Sequence, residues 1–527
     1  MGGGRTVVTH VIGIDIGTTG TKTGVYDSQG RCVGEAFEES VLHYPQPGAV
    51  EQDPDEIFRS VLSTVRRAVG AAGIAPGDVA ALAISGQMAG IMAIDADWNP
   101  VTHYDSWLDT RCAPYLAELA PHEDDIIRTC GMALAFNHAP KLLYWRDRKD
   151  IWNRICRFVQ PAGFVAGRLA GLAGADAFMD RTYVAFSGFA SGETSRWNEE
   201  LLGRFGLDTS KLPRIVEPWD IIGRVQPQWA EALGVAAGTP IAAGCGDQSA
   251  NVLGGGLVDE GTVFDTSGTA AVFATVIGHF GTDTRYKCLI TCGHVIPGLY
   301  FPMAYLAGGG LNLRWFRDVL SPREKAEWET NGINPYEALG AAAETIAPGS
   351  EELIFMPHLS GRNTPNDPTM RGAFLGLTWR HDKAHMVRAI MESIAYEYAV
   401  YLRAVREIAP DYDPTFAVNI GGGARSAVLR QIKADALGLD YHGLPGDEFG
   451  TLGAAIVAGH AVGIFPSLRE TARRFAGQTR PLATCRPEVT ALYAPYVDAY
   501  IEAMECLSPF YQRLQTRLRE AAPKSHP

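Results

Sequence analysis

Apolar residues in this chain first gather in short β-type runs and only later take up helical spacing. Val11, Ile12 and Ile14 precede a polar, glycine-rich interval, and Thr23, Val25 and Tyr26 resume the pattern after it. This predicts a strand, a tight turn and a returning strand. Asp27-Ser28-Gln29-Gly30 reads as a second turn and 31–35 as a third strand, so three antiparallel strands come from one short stretch. The period then changes: Ile57, Val61, Leu62, Val65 and Ala68 predict a helix over 55–69. Residues 79–85 form a buried strand running out into Gly86-Gln87-Met88-Ala89-Gly90. Further on, 155–172 reads as helix and connector, and the apolar run from Pro240 ends in glycines ahead of a small-residue helix that starts at Asp247. Residues 265–273 repeat the strand–turn–strand pattern. A long amphipathic helix is predicted over 385–406, a strand at 418–420, a small-residue helix over 449–459 and helix again after Pro487. Interleaved strands and helices make this an α/β chain.

At 527 residues the chain is long enough for two or more domains with cores of their own. A net charge of −13 and a pI near 5.5 argue against a nucleic-acid surface or a polybasic membrane anchor. No uninterrupted apolar run is long enough to span a bilayer. Nine scattered cysteines suit reduced thiols. Cys288, Cys292 and His294 lack a second ligand pair at finger-like spacing, so they are not read as a zinc site. The opening Met1-Gly2-Gly3-Gly4 formally fits a myristoylation pattern and reads instead as a flexible leader. A cytoplasmic protein is expected.

The candidate chemistry sits at the turns. Between the first two strands lie Gly17, Thr18, Thr19, Gly20, Thr21 and Lys22, with Asp15 at the mouth. Glycines let backbone approach a ligand, and successive N–H groups with threonine hydroxyls can wrap an anion. Asp15 would repel phosphate unless a cation lay between them, which makes it a Mg²⁺ ligand, directly or through water. An ordinary Gly/Thr-rich hairpin is the plain alternative. A P-loop is excluded, since Lys22 follows Thr21 and the turn joins two strands. Asp265-Thr266-Ser267-Gly268-Thr269-Ala270 forms a second turn of the same kind. Asp247 is either a helix cap or a base. Trp107, Asp109 and Arg111 are either a sugar-binding group or an ion pair beside a ring.

The order of these stretches resembles the FGGY family of carbohydrate kinases, within the sugar kinase, actin and hexokinase superfamily. Phe136-Asn137-His138-Ala139-Pro140-Lys141, followed by Trp145, is similar to the family's first signature. Gly372-Ala373-Phe374-Leu375-Gly376-Leu377 followed by 385–392 is similar to the second. Gly246-Asp247-Gln248 resembles the setting of the family's catalytic aspartate, and Gly421-Gly422-Gly423-Ala424-Arg425 its adenosine motif.

The resemblance implies two ribonuclease-H-like domains around a cleft. The N-terminal domain would span 8–254, the C-terminal domain 258–475, and a helical extension 476–527. It further implies ATP-dependent phosphorylation of a sugar or polyol hydroxyl, with Mg²⁺ at Asp15 and Asp247 as general base. Thr18, Thr19, Lys22, Ser267, Gly268 and Thr269 would approach the phosphates; Gly310, Gly422, Gly423 and Arg425 would border the nucleoside. Gln87, Met88, Trp107, Asp109, Asp247 and Gln248 would line the sugar end. The partner is then a small molecule, not nucleic acid or membrane, and a homodimer is allowed. Gln87-Met88 and Gly246-Asp247-Gln248 look most like the xylulokinase branch, which points to a ketopentose such as D-xylulose. That branch carries Gln-Met-His-Gly where this chain has Ala89, so ribulose, erythritol or another ketose stays open. So does a non-catalytic, actin-like sensor of sugar or nucleotide.

Overall fold

The computed structural model describes residues 9–268, 270–420, 426–446 and 448–521. The glycine leader, Thr269, Gly422, Gly423 and Arg425 therefore lie outside the described residues, as does the end of the C-terminal tail.

Two sheets carry the fold, and they are variations on one plan. The first contains β1 (His10–Ile16), β2 (Gly20–Tyr26), β3 (Cys32–Glu39), β4 (Val79–Gly86), β5 (Ile221–Arg224), β6 (Pro240–Ala242) and β7 (Cys245–Gly246), in the order β5-β6-β4-β1-β2-β3 with β7 also on β4. The second contains β8 (Thr262–Ser267), β9 (Ala271–Thr275), β10 (Ile290–Gly293), β11 (Tyr300–Leu306), β12 (Phe416–Ile420), β13 (Tyr441–Gly443) and β14 (Arg480–Ala483), in the order β10-β11-β9-β8-β12-β13-β14. A three-strand antiparallel meander in the first, and four antiparallel strands in the second, join two parallel strands and close on an antiparallel edge. This is the ribonuclease-H-like α/β duplication the motifs imply.

The first elements form for local reasons. Helix α1 (Pro54–Ala72) starts where the Asp53 carboxylate accepts from the Asp55 and Glu56 amides, has Pro54 in its first turn and stops at left-handed Gly73. The remaining helices used below are α2 (His138–Arg146), α3 (Pro161–Ala170), α4 (Asp247–Gly254), α5 (Gly309–Trp315), α6 (Lys383–Ile408), α7 (Ala427–Leu437), α8 (Phe449–Ala461) and α9 (Pro487–Ala521). Within 155–172, a short strand over Arg157–Val159 precedes α3. Within 476–527, β14 completes the second sheet before α9 begins, so that stretch is not helix alone.

Sequence order and spatial order part at α8. It lies in the chain between β13 and β14 of the second sheet yet packs on the first, where Tyr26 and Thr451 share a 2.7 Å hydroxyl contact. Its small residues make this possible. A Cβ on Gly13 would stand 1.8 Å from the Thr451 carbonyl oxygen, one on Gly453 2.0 Å from that of Ala250, and one on Gly254 2.0 Å from that of Phe449. Strand β1, α4 and α8 thus meet backbone to backbone.

Gly13→Ala is expected to destabilise the protein by roughly 1–3 kcal/mol, the usual cost of overpacking where backbone must yield. Gly70→Ala, in open space on α1, is expected to stabilise it by about 0.5–1 kcal/mol. Urea unfolding followed by tryptophan fluorescence reads both signs.

Candidate active site

The C-terminal ends of parallel strands gather the polar residues. In register, Asp15 of β1 lies beside Ser85 of β4, which lies beside Cys245 of β7, and β7 delivers Asp247 to the first position of α4. Ligand crevices of open α/β sheets form at such strand ends. Ser85 Oγ donates to Asp15 Oδ1 at 2.8 Å, and the Gln248 amide donates to Asp247 Oδ1 at 2.7 Å. Burial raises the pKa of Asp15 despite that bond and the Lys22 charge. Burial, and after it the Asp15 charge, pushes Asp247 up to about 7. Two half-buried carboxylates within electrostatic reach of each other form a donor set that a divalent cation would satisfy. A Cβ on Gly450 would approach Asp15 Oδ2 to 2.9 Å, so glycine keeps the space beside that carboxylate open. The residues present therefore fit Mg²⁺.

A cavity of about 310 Å³ opens between the two sheets. Thr18, Gln87, Met88, Trp107, Asp247 and Gln248 all line it. A relay ties three of them together: Trp107 Nε1–H donates to Thr18 Oγ1 at 2.8 Å, Thr18 Oγ1–H to Gln87 Oε1 at 3.1 Å, and Gln87 Nε2–H to Gln52 Oε1 at 2.7 Å. Thr18, expected at the phosphates, thus lies on the cavity wall beside Trp107 and Gln87. Met88 is held through its carbonyl, which accepts from His138 Nε2 at 2.7 Å; burial pulls that histidine down to about 4, so it is neutral.

Asp109 does not join this lining. Its carboxylate accepts from the Val50 amide and the Arg111 guanidinium, at 2.9 and 2.8 Å. Glu51, Asp105 and Asp109 bring their oxygens within 4.8 Å of one another, but Arg111 already binds all three, at 2.6, 2.7 and 2.8 Å. The first signature joins the same knot. Lys141, fully buried on α2, donates to the carbonyls of Asp105 (3.2 Å) and Ser106, and Trp145 Nε1–H donates to Asp105 Oδ2 at 2.5 Å. Lysine and tryptophan of this motif thus clamp the segment that presents Trp107.

At the first turn, Lys22 forms a bidentate pair with Glu448 just ahead of α8, both contacts 2.8 Å, and Thr19 is exposed. The Ser267 hydroxyl turns inward: it donates to Asp265 Oδ1 at 2.6 Å and accepts from Lys433 Nζ at 2.7 Å, while Lys433 also pairs with Asp265 and Tyr398 donates to Asp265 Oδ1 at 2.8 Å. A buried ion pair therefore props this turn from α7, leaving its backbone for a ligand. The Gly310 amide is bonded to the Gly268 carbonyl at 3.0 Å, which seats α5 against the turn.

Several lining residues carried no expectation of ligand contact. Asn137, Met132 and Phe186 come from the first half, and Ile290, Met303 and Tyr305 from β10 and β11. Asn363, Thr364 and Asn366 lie on a segment without periodicity, where Asn and Pro between Gly361 and Pro368 were the available signal. That segment is tied down at both ends: His358 Nε2 lies 3.1 Å from Glu397 Oε1 on α6, and Ser508 of α9 donates to Asp367 Oδ2 at 2.5 Å.

Comparison with known proteins agrees with this geometry. The profile of the N-terminal domain of the FGGY family of carbohydrate kinases matches residues 10–254, and that of its C-terminal domain matches 270–462. A xylulose kinase from Escherichia coli (strain K12) is 31% identical over 85% of this chain and 89% of its own. A gluconokinase from Bacillus subtilis (strain 168) is 28% identical over 87% and 88%. The crystal structure of ligand-bound xylulose kinase from Lactobacillus acidophilus superposes with a TM-score of 0.87 at 24% identity, covering 96% of this chain and 100% of that one; it shares the fold.

Lys141→Met is expected to raise KM for the cavity's ligand by about tenfold, the weight of one charge-assisted hydrogen bond, with KM for nucleotide unchanged. Lys141→Arg should recover part of the loss. Steady-state kinetics with each ligand varied in turn separates the two constants.

Proposed function

Because the chain belongs to the FGGY family of carbohydrate kinases, we propose that it transfers the γ-phosphoryl group of ATP to a hydroxyl of a neutral ketose or polyol of ketopentose size, D-xylulose being the reference substrate. The observation that carries the reading is Asp247, a carboxylate raised to about 7 by burial and by Asp15, on the wall of a cavity of about 310 Å³. Phosphoryl transfer asks for positioning and charge neutralisation more than for covalent catalysis. Asp247 accepts the proton of the attacking hydroxyl as its oxygen bonds to phosphorus and ADP leaves. Asp15, directly or through water, would hold Mg²⁺, which would supply neutralising charge to the phosphates. Gln248 and the Trp107–Thr18–Gln87 relay orient the sugar, and the backbone of the turn at Gly268 meets the phosphates from the second half. Closure of the two halves around the cavity would exclude water.

The composition of the cavity supports a neutral substrate. Among the described residues that line it, none is Lys, Arg or His. A sugar acid would leave its carboxylate unpaired there, at a cost of several kcal/mol by the usual penalty for a buried unpaired charge, on the order of 3–5. Gluconate is therefore disfavoured, although a gluconokinase is among the relatives.

Two measurements test the reading. ADP release with Mg-ATP over a panel of ketoses and polyols is expected to find turnover that Asp247→Asn lowers by about 10²–10⁴-fold, the weight of a positioned base. Wild-type turnover in that variant would remove the base, and ligand binding without turnover across the panel would favour a sensor. Since the working form is the carboxylate, kcat/KM should rise with pH, level off above about 7 and fall about tenfold per unit below it.

A further inference from the structure

The cavity walls are chemically unequal, and we propose that the substrate is a deoxygenated ketose or polyol, in which at least one carbon is a methyl or methylene group that rests on an apolar strip built by both halves of the chain. This narrows the kinase reading above and rests on it.

The strip is a row of backbone neighbours. Met132 forms an antiparallel bridge with Ile290, Ile290 pairs with Met303, and Val272 pairs with Tyr305. Side chains two apart along a strand share a face, so Met303 and Tyr305 point the same way, and paired residues stand side by side. All five line the cavity. The bridge is reinforced by the Thr291 amide, which donates to the Gly131 carbonyl at 2.8 Å, so the strip continues unbroken from the first half into the second. Its one polar atom is the Tyr305 hydroxyl. Ala89 extends the apolar lining from the end of β4.

The polar capacity is placed elsewhere. Thr18, Gln87 and the Trp107 indole N–H are engaged with one another. Beside Asp247 and Gln248, two buried lining residues keep an oxygen without any partner among the described residues: Asn137 Oδ1 and Thr364 Oγ1, on side chains 1% and 5% exposed. Both oxygens lie beneath the cavity surface, so the polar capacity open to substrate hydroxyls is that of Asp247 and Gln248. A hydroxyl set against Met132, Ile290 and Met303 would instead lose its water and gain no partner, whereas a methyl or methylene group there buries apolar surface. The site therefore recognises an amphipathic polyol.

The test is a matched-pair assay of the full-length protein with Mg-ATP. Four- to six-carbon ketoses and polyols are each compared with the counterpart in which a terminal hydroxymethyl is replaced by methyl, and kcat/KM is read from ADP release. At least one deoxygenated member should exceed its hydroxylated partner by about tenfold, the scale on which apolar pockets discriminate. Ile290→Thr, near in shape and bearing a hydroxyl, should shrink that ratio, and Met303→Leu should keep it; thermal melting reports whether each variant is folded. Hydroxylated partners favoured or equal throughout would overturn this inference and leave the kinase reading standing. So would a ratio that folded Ile290→Thr leaves unchanged. Turnover on no member would overturn both.

Discussion

Everything at the site depends on how closely backbone meets backbone where β1, α4 and α8 cross. Gly13, Gly254 and Gly453 each lie where a single added carbon would touch a carbonyl oxygen. That proximity brings Gly450, at the start of α8, beside Asp15, and sets Asp247 at the start of α4 within electrostatic reach of the same carboxylate. The raised affinity of Asp247 for a proton is therefore a product of packing. Bulkier residues on these helices would separate the two carboxylates and return each towards an ordinary, solvated aspartate.

The two polar assemblies of the first half act as one scaffold. Arg111 and Lys141 hold the segment 105–109 from behind, and Trp107 hands that order to Thr18 in the first turn and so to Gln87. In the second half, Lys433 and Asp265 hold the other turn from beneath, with no solvent exposure at either side chain. In both halves a buried cation supports a glycine-bearing turn, in the first half by way of the segment 105–109. The cost of burying each charge is offset by the several oxygens that each cation meets.

Much of this was legible along the chain, because strand and helix periods are local properties. The first hairpin, α1, β4, α6 and α8 follow from spacing and caps alone. What escaped was non-local. The edge strand β14 is four residues long, includes Pro481 and has no alternation to announce it. Nothing within 449–459 says that its helix lies on the first sheet. Asp109 and Ser267 are of the right residue type for ligand contact, yet their oxygens are engaged by Arg111 and Lys433, partners placed there only by the fold. Asn363, Thr364 and Asn366 had no period to reveal them.

Met132, Ile290 and Met303 of the strip also belong to a larger hydrophobic core. That core joins Val11, Ala83 and Leu452 on the first sheet to Ile290, Phe301 and Met303 on the second. The plan of the molecule is that of a repeated unit, and each repeat has a core of its own, around Ile12, Val61 and Leu82 in the first and Phe273, Ile394 and Tyr441 in the second, with the larger core shared between them. A chain divided near 254–259 would leave two pieces, each with a severed apolar face and, in the first piece, a sheet stripped of α8. The two domains share one plan, and the core they hold in common, together with the crossing of α8, ties the packing of each to the other.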